Sequence, residues 1–109
     1  MREGGTIAVY ILASGRNGTL YTGVTSDLAM RMSQHKHGVF GGFSARYGCK
    51  QLVWYEPQID MRCAIHREKQ IKRWRRDWKL ALIEAGNPEW RDLVDEWHDE
   101  YSTLAPDSS

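Results

Sequence analysis

The chain has 109 residues, the length of one ordinary domain, and a chain of this length can bury a core without disulfide bonds. Its 41% hydrophobic and 27% charged residues are typical of a globular protein, and no stretch approaches the roughly 18 apolar residues of a membrane helix. The N-terminus lacks the apolar run of a signal peptide, and with only two cysteines a reduced, cytoplasmic setting is expected.

The net charge of +1 conceals two regions of opposite sign. Between Arg62 and Lys79, eight basic residues accompany two acids and give this basic stretch a net charge of +6. From Glu84 to the end, eight acids accompany one arginine, a net charge of −7. The basic stretch can attract a phosphate backbone, and the acidic part would oppose that attraction or fold across the basic stretch.

The first 25 residues have the pattern of a β-hairpin. Residues 6–13 are apolar and rich in β-branched side chains, which predicts a buried strand. A turn cluster follows at residues 14–18 and ends in Asn-Gly, which favours a hairpin. Residues 19–25 are therefore predicted as a second strand, antiparallel to the first.

A helix, a loop and a third strand are predicted next. Ser26 or Asp27 can cap a helix that runs to about Lys36. Four glycines at residues 38–48 predict a loop, and the apolar segment 51–56, closed by a proline, predicts the third strand.

The remaining elements are predicted as helices. Asp60 can cap a helix over residues 61–74, and a shorter one is expected over 77–86. Asn-Pro then begins a last, acidic helix over residues 88–100 with an apolar stripe. The order β-β-α-β-α-α-α predicts an α+β fold with a three-stranded sheet.

Charged side chains occur on faces that the pattern turns inward. Arg31 and His35 share a helix face with Leu28 and Met32, three and four residues apart. An inward arginine is costly unless it is paired or lines a cleft.

The predicted helix over residues 61–74 also has one charged side chain on its inward face, a carboxylate. Glu68 lies on the stripe of Ala64, Ile65 and Ile71, so it is either half of a structural ion pair with Arg31 or a ligand. Tyr10 and Tyr21 lie on neighbouring predicted strands, where they are either core residues or members of the same site.

These residues resemble the signature of the GIY-YIG nucleases, and most closely that of the small standalone bacterial members. The first motif appears as Val-Tyr-Ile at 9–11 and the second as Leu-Tyr-Thr-Gly-Val-Thr at 20–25. The helix of residues 27–35 follows at the family's spacing, and residues 64–74 look like its metal-binding helix. The resemblance covers residues 6–85 and implies one nuclease-like domain over 1–101, followed by a flexible tail over 102–109.

The resemblance implies a three-stranded antiparallel sheet flanked by helices, and a metal-dependent endonuclease that hydrolyses nucleic acid, with DNA as the expected substrate. Glu68 would hold one Mg²⁺ or Mn²⁺, and Arg31 would stabilise charge on the phosphoryl group. Tyr10 would activate the attacking water, with Tyr21 and His35 in support, if a nearby cation lowers the phenol's pKa from about 10. The expected products carry a 5′-phosphate and a 3′-hydroxyl.

The sequence departs from the family pattern at several positions. The first motif has Ala8-Val9 in place of Gly-Ile, and the second has Thr22 in place of Ile. Some relatives carry a lysine directly after the second motif's glycine, where this chain has Val24. Many relatives have a polar asparagine in the site after the metal helix; Asn87 is the nearest candidate, and helix capping explains it better.

Nucleic-acid contacts are expected from cations outside the catalytic set: Arg46, Lys69, Lys72, Arg73, Arg75 and Arg76. Trp74 and Trp78 interrupt the basic stretch at helical spacing and are expected in the core, with base stacking as the alternative.

Other functions are compatible with the same residues. A non-catalytic nucleic-acid-binding protein would keep the fold and the basic stretch. The acidic helix over 88–100 could dock on that stretch, and a protein partner could direct the chain to its substrate. A zinc site is not expected, because no close Cys pair exists among the candidate ligands His35, His37, Cys49, Cys63 and His66.

Overall fold

The computed structural model describes residues 5–36 and 48–95. Three strands form one antiparallel sheet, and they are β1 (Ala8–Ala13), β2 (Leu20–Thr25) and β3 (Gln51–Pro57). Three helices pack on the sheet, and they are α1 (Leu28–Lys36), α2 (Met61–Arg73) and α3 (Arg76–Gly86). The predicted α+β fold with a three-stranded antiparallel sheet is confirmed, and no helix of the described ranges is long and apolar enough to cross a membrane.

Strand β1 is the centre of the sheet, whose order is β2-β1-β3. All six of its residues are fully buried, because both faces of the strand are covered. Its unbroken run Ala-Val-Tyr-Ile-Leu-Ala is the pattern expected of a strand buried on two sides. A register shift at Ile11/Leu12 interrupts its pairing with β3, whereas its pairing with β2 is regular.

Each face of the sheet has its own hydrophobic core. One core consists of Val9, Ile11, Ala13 and Val53 from the strands, Ala64, Ile71 and Ile83 from α2 and α3, and Trp90. The other consists of Ala8, Tyr10, Leu12 and Leu52 from the strands, Leu28 and Met32 from α1, and Cys49. The sheet therefore separates the two helical layers, and residues of β2 reach both of them.

The hairpin turn is held by a residue from outside the hairpin. Asn17 adopts φ 56°, a conformation that Asn tolerates better than most residues, and Gly18 donates its N–H to the Gly15 carbonyl at 2.9 Å. Nη2 of Arg76, the first residue of α3, donates to the carbonyls of Asn17 and Gly18 at 2.8 and 2.7 Å. This contact ties the turn to the helical layer.

Side-chain caps fix the starts of α1 and α2. Of the two residues that could cap α1, Asp27 does so, because its Oδ1 accepts from the Met30 N–H at 3.2 Å. Asp60 caps α2 in the predicted way, and its Oδ1 accepts from the Cys63 N–H at 2.8 Å.

The prediction of a helix beginning at residue 88 is wrong. Residues 88–89 form a turn, and helical backbone begins at Leu93 and continues to the last described residue, Asp95. Trp90 lies in the turn with φ 58°; it is nevertheless buried, and its indole N–H donates to Glu84 at 2.8 Å. Packing of this one large side chain overrides the helical spacing of the sequence.

Asn87 is consequently not the N-terminal cap of a helix, which corrects its interpretation from sequence. It is buried and joins the turn to β3: its Nδ2 donates to the carbonyls of Val53 and Arg91, at 3.2 and 2.9 Å. Its Oδ1 accepts from the Arg91 N–H at 3.0 Å. Asp92 takes the capping role, because its Oδ1 accepts from the N–H groups of Val94 and Leu52.

Two side chains predicted in the core are exposed. Trp78 is 52% exposed, whereas Trp74 is half-buried against the core. Ile65 is 39% exposed, so the buried stripe of α2 consists of Ala64, Glu68 and Ile71. The break between α2 and α3 at residues 74–75 causes the first error, because it ends the helical spacing that relates residue 78 to residue 71.

We expect Asn87→Ala to lower the free energy of unfolding by about 2–3 kcal/mol, because it leaves the buried Val53 carbonyl without its partner and removes two further hydrogen bonds. Urea unfolding measures the change, with Gln70→Ala on the exposed side of α2 as the control. Equal midpoints for the two variants would show that Asn87 does not support the fold.

Candidate active site

Tyr10 lies over a residue that has no side chain. Tyr10 and Gly23 are direct partners in the pairing of β1 with β2. A Cβ atom at position 23 would lie only 2.5 Å from Cζ and Oη of Tyr10, so the phenol occupies the space of the missing side chain. The glycine of the second sequence motif thus allows the first motif's tyrosine to lie flat on the sheet.

Tyr21 lies beside Tyr10 on the same face. It pairs with Leu12, two residues along β1, so the two tyrosines are diagonal neighbours. Their ring centroids are 6.4 Å apart with the planes tilted by 43°. The two phenols therefore lie near each other, and the strand register that brings them together could be read only from the structure.

Arg31 reaches the same place from α1. Leu28 and Met32 on the same face are buried, so the guanidinium is directed toward the sheet, where it hydrogen-bonds the phenol of Tyr10. The hydrogen bond to Tyr10 thus offsets part of the free-energy cost of directing the Arg31 charge toward the core. His35 follows one turn later on α1, and its side chain lies outside the described residues.

Glu68 is buried on α2, and Lys72 is its ion-pair partner. The Nζ atom of Lys72, one turn further along α2, lies 2.7 Å from Oε2 of Glu68. The alternative of a structural pair between Arg31 and Glu68 is therefore wrong. Oε1 of Glu68 has no hydrogen bond or ion pair within residues 5–36 and 48–95.

Burial raises the pKa of Tyr10 to about 12, and Tyr21 and Glu68 also raise it. Arg31 lowers the pKa through its charge and its hydrogen bond, without compensating for burial. At neutral pH the phenol of this chain therefore keeps its proton. The influence of Glu68 on this pKa also places the carboxylate within electrostatic reach of the Tyr10–Arg31 pair.

An open groove of about 320 Å³ lies along the edge of β2 beside these residues. It is lined by Leu20, Tyr21, Thr22, Lys72 and Lys79. Tyr21 and Lys72 thus belong both to the groove and to the group of side chains around Tyr10 and Glu68. A ligand in the groove would lie next to the candidate site.

The donor set fits a hydrated, hard divalent cation. Within the described parts of the chain, no three His, Cys, Asp or Glu residues are grouped closely enough to enclose a metal ion. Mg²⁺ usually keeps several waters and needs only one or two carboxylates when substrate phosphate supplies further oxygens. Glu68, with one oxygen not engaged by the described residues, can be such a ligand.

The comparison with known families identifies the arrangement. The model of the GIY-YIG catalytic domain matches residues 6–81, which contain β1, β2, α1 and α2. The chain belongs to the GIY-YIG family. It thereby belongs to a superfamily of nucleases, so its domain type is that of an endonuclease-type hydrolase, with nucleic acid as the substrate class.

Individual relatives support the membership. A UPF0213 protein of Clostridium perfringens is 36% identical over 77 residues, which cover 71% of this chain and 82% of the relative. A UPF0213 protein of Syntrophus aciditrophicus is 37% identical over 82 residues, 74% of this chain and 92% of the relative. One from Orgyia pseudotsugata multicapsid polyhedrosis virus is 40% identical over 81 residues, covering 71% and 75%. No solved structure matches the chain significantly.

The departures from the GIY-YIG pattern have structural reasons. Val9 and Val24 pack against the core of the α2–α3 face, and Thr22 is buried in the wall of the groove. Where some relatives have a lysine, Val24 therefore contributes to the core. The cations near β2 come from the helices instead, as Lys72 and Lys79.

The residues predicted to contact nucleic acid have different surroundings. Lys69 and Arg73 are exposed on α2, whereas Arg76 binds the hairpin turn. The guanidinium of Arg75 lies 5.4 Å from the ring centroid of Trp78 and its Nε lies 3.6 Å from Asp77. Arg46 lies outside the described residues.

Sequence reasoning missed two contributors. In the sequence, Gly23 was noted only as part of the second motif. The pairing of β1 with β2 shows that the Tyr10 ring requires a residue without a side chain at this position. Lys79 was counted in the basic stretch but given no role, since its proximity to Tyr21 depends on how α3 packs beside β2. The signal that could have been used is a lysine in the first turn of the helix that follows α2.

We expect Gly23→Ala to displace the Tyr10 ring and break its contact with Arg31, at a cost of about 1–3 kcal/mol of stability. Gly86→Ala is the matched control, because nothing lies within 4 Å of a Cβ there, and it should leave stability unchanged or raise it by up to about 1 kcal/mol. Thermal or urea unfolding of both variants tests this, and an unperturbed Gly23→Ala protein would contradict the close approach.

The raised pKa of Tyr10 predicts a loss of stability in alkali. The folded chain holds the phenol's proton more tightly than the unfolded chain, so this contribution is complete below about pH 10 and disappears as the pH rises to about 12. Its full size is about 3 kcal/mol by linkage. Unfolding of wild type and Tyr10→Phe across this range isolates the effect, and parallel pH curves for the two proteins would contradict it.

Proposed function

We propose that this chain is a divalent-metal-dependent endonuclease that hydrolyses phosphodiester bonds of DNA and leaves a 5′-phosphate and a 3′-hydroxyl. One observation carries the proposal: the Arg31–Tyr10–Tyr21 cluster lies within electrostatic reach of Glu68, a nearly buried carboxylate with an oxygen not engaged by the described residues. Membership of the GIY-YIG family supports the reaction class.

Glu68 is the residue that would hold Mg²⁺ or Mn²⁺. Such an ion, when bound, supplies positive charge that stabilises the phosphoryl group and lowers the pKa of the attacking water. Lys72 already offers one positive charge at Oε2 of Glu68, and its flexible side chain can turn instead to a substrate phosphate.

Arg31 would stabilise the phosphoryl group, and the tyrosines would position and deprotonate the attacking water. The guanidinium of Arg31 stabilises negative charge that develops on the phosphoryl oxygens. The Arg31 N–H donates to Oη of Tyr10 and so holds the phenol at the site. Because Tyr10 holds its proton at neutral pH, its phenol first positions the attacking water. Positive charge from a bound metal ion would lower the pKa of the phenol, which would then release its proton to solvent and, as phenolate, accept a proton from the attacking water. Tyr21 and His35 support it.

A non-catalytic nucleic-acid-binding protein is the second candidate, and the Lys72–Glu68 ion pair favours it. A carboxylate neutralised by a lysine at 2.7 Å requires no metal. Against it stands the buried Tyr10–Arg31 pair, which a purely binding surface does not need. DNA is proposed over RNA on the resemblance of the motifs, and the assay below includes both.

The deciding experiment is cleavage of plasmid, single-stranded, branched and RNA substrates with Mg²⁺, Mn²⁺ or EDTA. We expect cutting that requires metal and falls on the order of 100-fold or more in Glu68→Gln. Glu89→Gln is the matched control, because it removes an exposed acid far along the chain from α2, and it should cut like wild type.

The outcomes separate the two candidates. Cutting by wild type in EDTA, or equal cutting by Glu68→Gln, would contradict the metal role of Glu68. Salt-sensitive binding by wild type without cutting on any substrate would favour the binding protein.

A further inference from the structure

The groove beside Tyr21 runs along an edge of the sheet. In the described sheet, whose order is β2-β1-β3, β2 has a strand neighbour on one side only, and its outer edge presents backbone polar groups. Leu20, Tyr21 and Thr22 form this wall of the groove, and Lys72 and Lys79 form the other. The groove is thus open and carries two positive charges on a largely apolar lining, with a volume at the small end of ligand sites.

Of the two lysines in the groove, Lys79 is the one without a partner among the residues that the structure describes. Within the described ranges it has no hydrogen bond or ion pair, although it is partly buried. Burial lowers its pKa, and the nearby charges of Arg76 and Lys72 lower it further. These three cations repel one another, and an anion in the groove, which Lys72 and Lys79 line, would reduce that repulsion.

The other two cations are already engaged. Arg76 donates to the two turn carbonyls, which fixes its guanidinium at the hairpin. Lys72 is paired with Glu68. A ligand phosphate in the groove therefore finds Lys79 available at no cost of breaking a contact within the described chain.

We propose that the β2-edge groove is a backbone-phosphate subsite of the nucleic-acid substrate, in which Lys79 binds a phosphate next to the bond that is cut. The proposal rests on the proposed function. It specifies which surface the substrate strand follows: from the Tyr10–Glu68 site along β2, past Tyr21, to the start of α3. Contacts of this kind bind the backbone and place the strand without reading base sequence.

The test is the salt dependence of binding in EDTA, where no metal-dependent cutting occurs. The probes are a fluorescently labelled duplex and the corresponding single strand. Loss of one phosphate contact lowers the slope of log K against log salt by about 0.9 on duplex and about 0.7 on single strand. We expect this loss in Lys79→Gln, recovery in Lys79→Arg, and no change in Lys50→Gln, an exposed lysine at the start of β3.

The second readout compares the effects of the variants on KM and on kcat. On a cleaved substrate, Lys79→Gln should raise KM by a larger factor than it changes kcat, whereas Glu68→Gln should act on kcat. Circular dichroism confirms that each variant is folded. A Lys79→Gln protein with the slope and KM of wild type overturns the subsite and leaves the proposed function intact. Absence of salt-dependent binding by wild type on both probes overturns the subsite and the nucleic-acid substrate together.

Discussion

The hydrogen bond between Arg31 and Tyr10 connects the fold to the candidate site. Tyr10 lies on the most buried strand of the sheet, and a phenol at such a position requires a polar partner. Arg31 is an inward charge on α1 and has the same requirement. Each satisfies the other, and both depend on the empty space above Gly23. The residues that make the sheet pack are therefore those that the proposed chemistry uses.

The sequence was sufficient for whatever depends on local pattern. Uninterrupted apolar runs identified the strands, and side-chain caps such as Asp60 identified the start of α2. The inward positions of Arg31 and Glu68 followed from helical spacing. Helical spacing did not predict the partners of these two charges. Arg31 binds Tyr10 and Glu68 pairs with Lys72, because α1 and α2 lie on opposite faces of the sheet.

Errors arose where a tertiary contact overrides a local pattern. Asn87 precedes a proline and has the sequence of a helix cap, yet a buried carbonyl of β3 makes it a link between elements. Trp90 fits a helical stripe, and burial against the core places it in a turn instead. In both cases the observed conformation costs backbone or side-chain conformational entropy, and contacts with residues distant in sequence offset that cost. A short segment of the sequence therefore cannot predict either conformation.

The basic stretch shows why charge counts alone do not locate a binding surface. Arg67 pairs with Glu56 at 3.0 Å and lies over Trp74, and Arg76 holds the hairpin turn. These cations are structural, although they contribute to the same net charge as Lys79. A phosphate backbone is attracted by the whole field, and it is positioned by the few cations that the fold leaves unpaired.

The ion pair of Glu68 with Lys72 sets the order in which ligands can bind, if the proposed function holds. Without substrate, Lys72 neutralises the carboxylate that a metal ion would need. A phosphate in the β2-edge groove gives Lys72 a second anion and gives the metal its remaining oxygen ligands. Metal and substrate would then each raise the affinity for the other, by reciprocal linkage. If Glu68 is the one carboxylate ligand, its affinity for the metal ion would be high only when a phosphodiester supplies the remaining oxygen ligands.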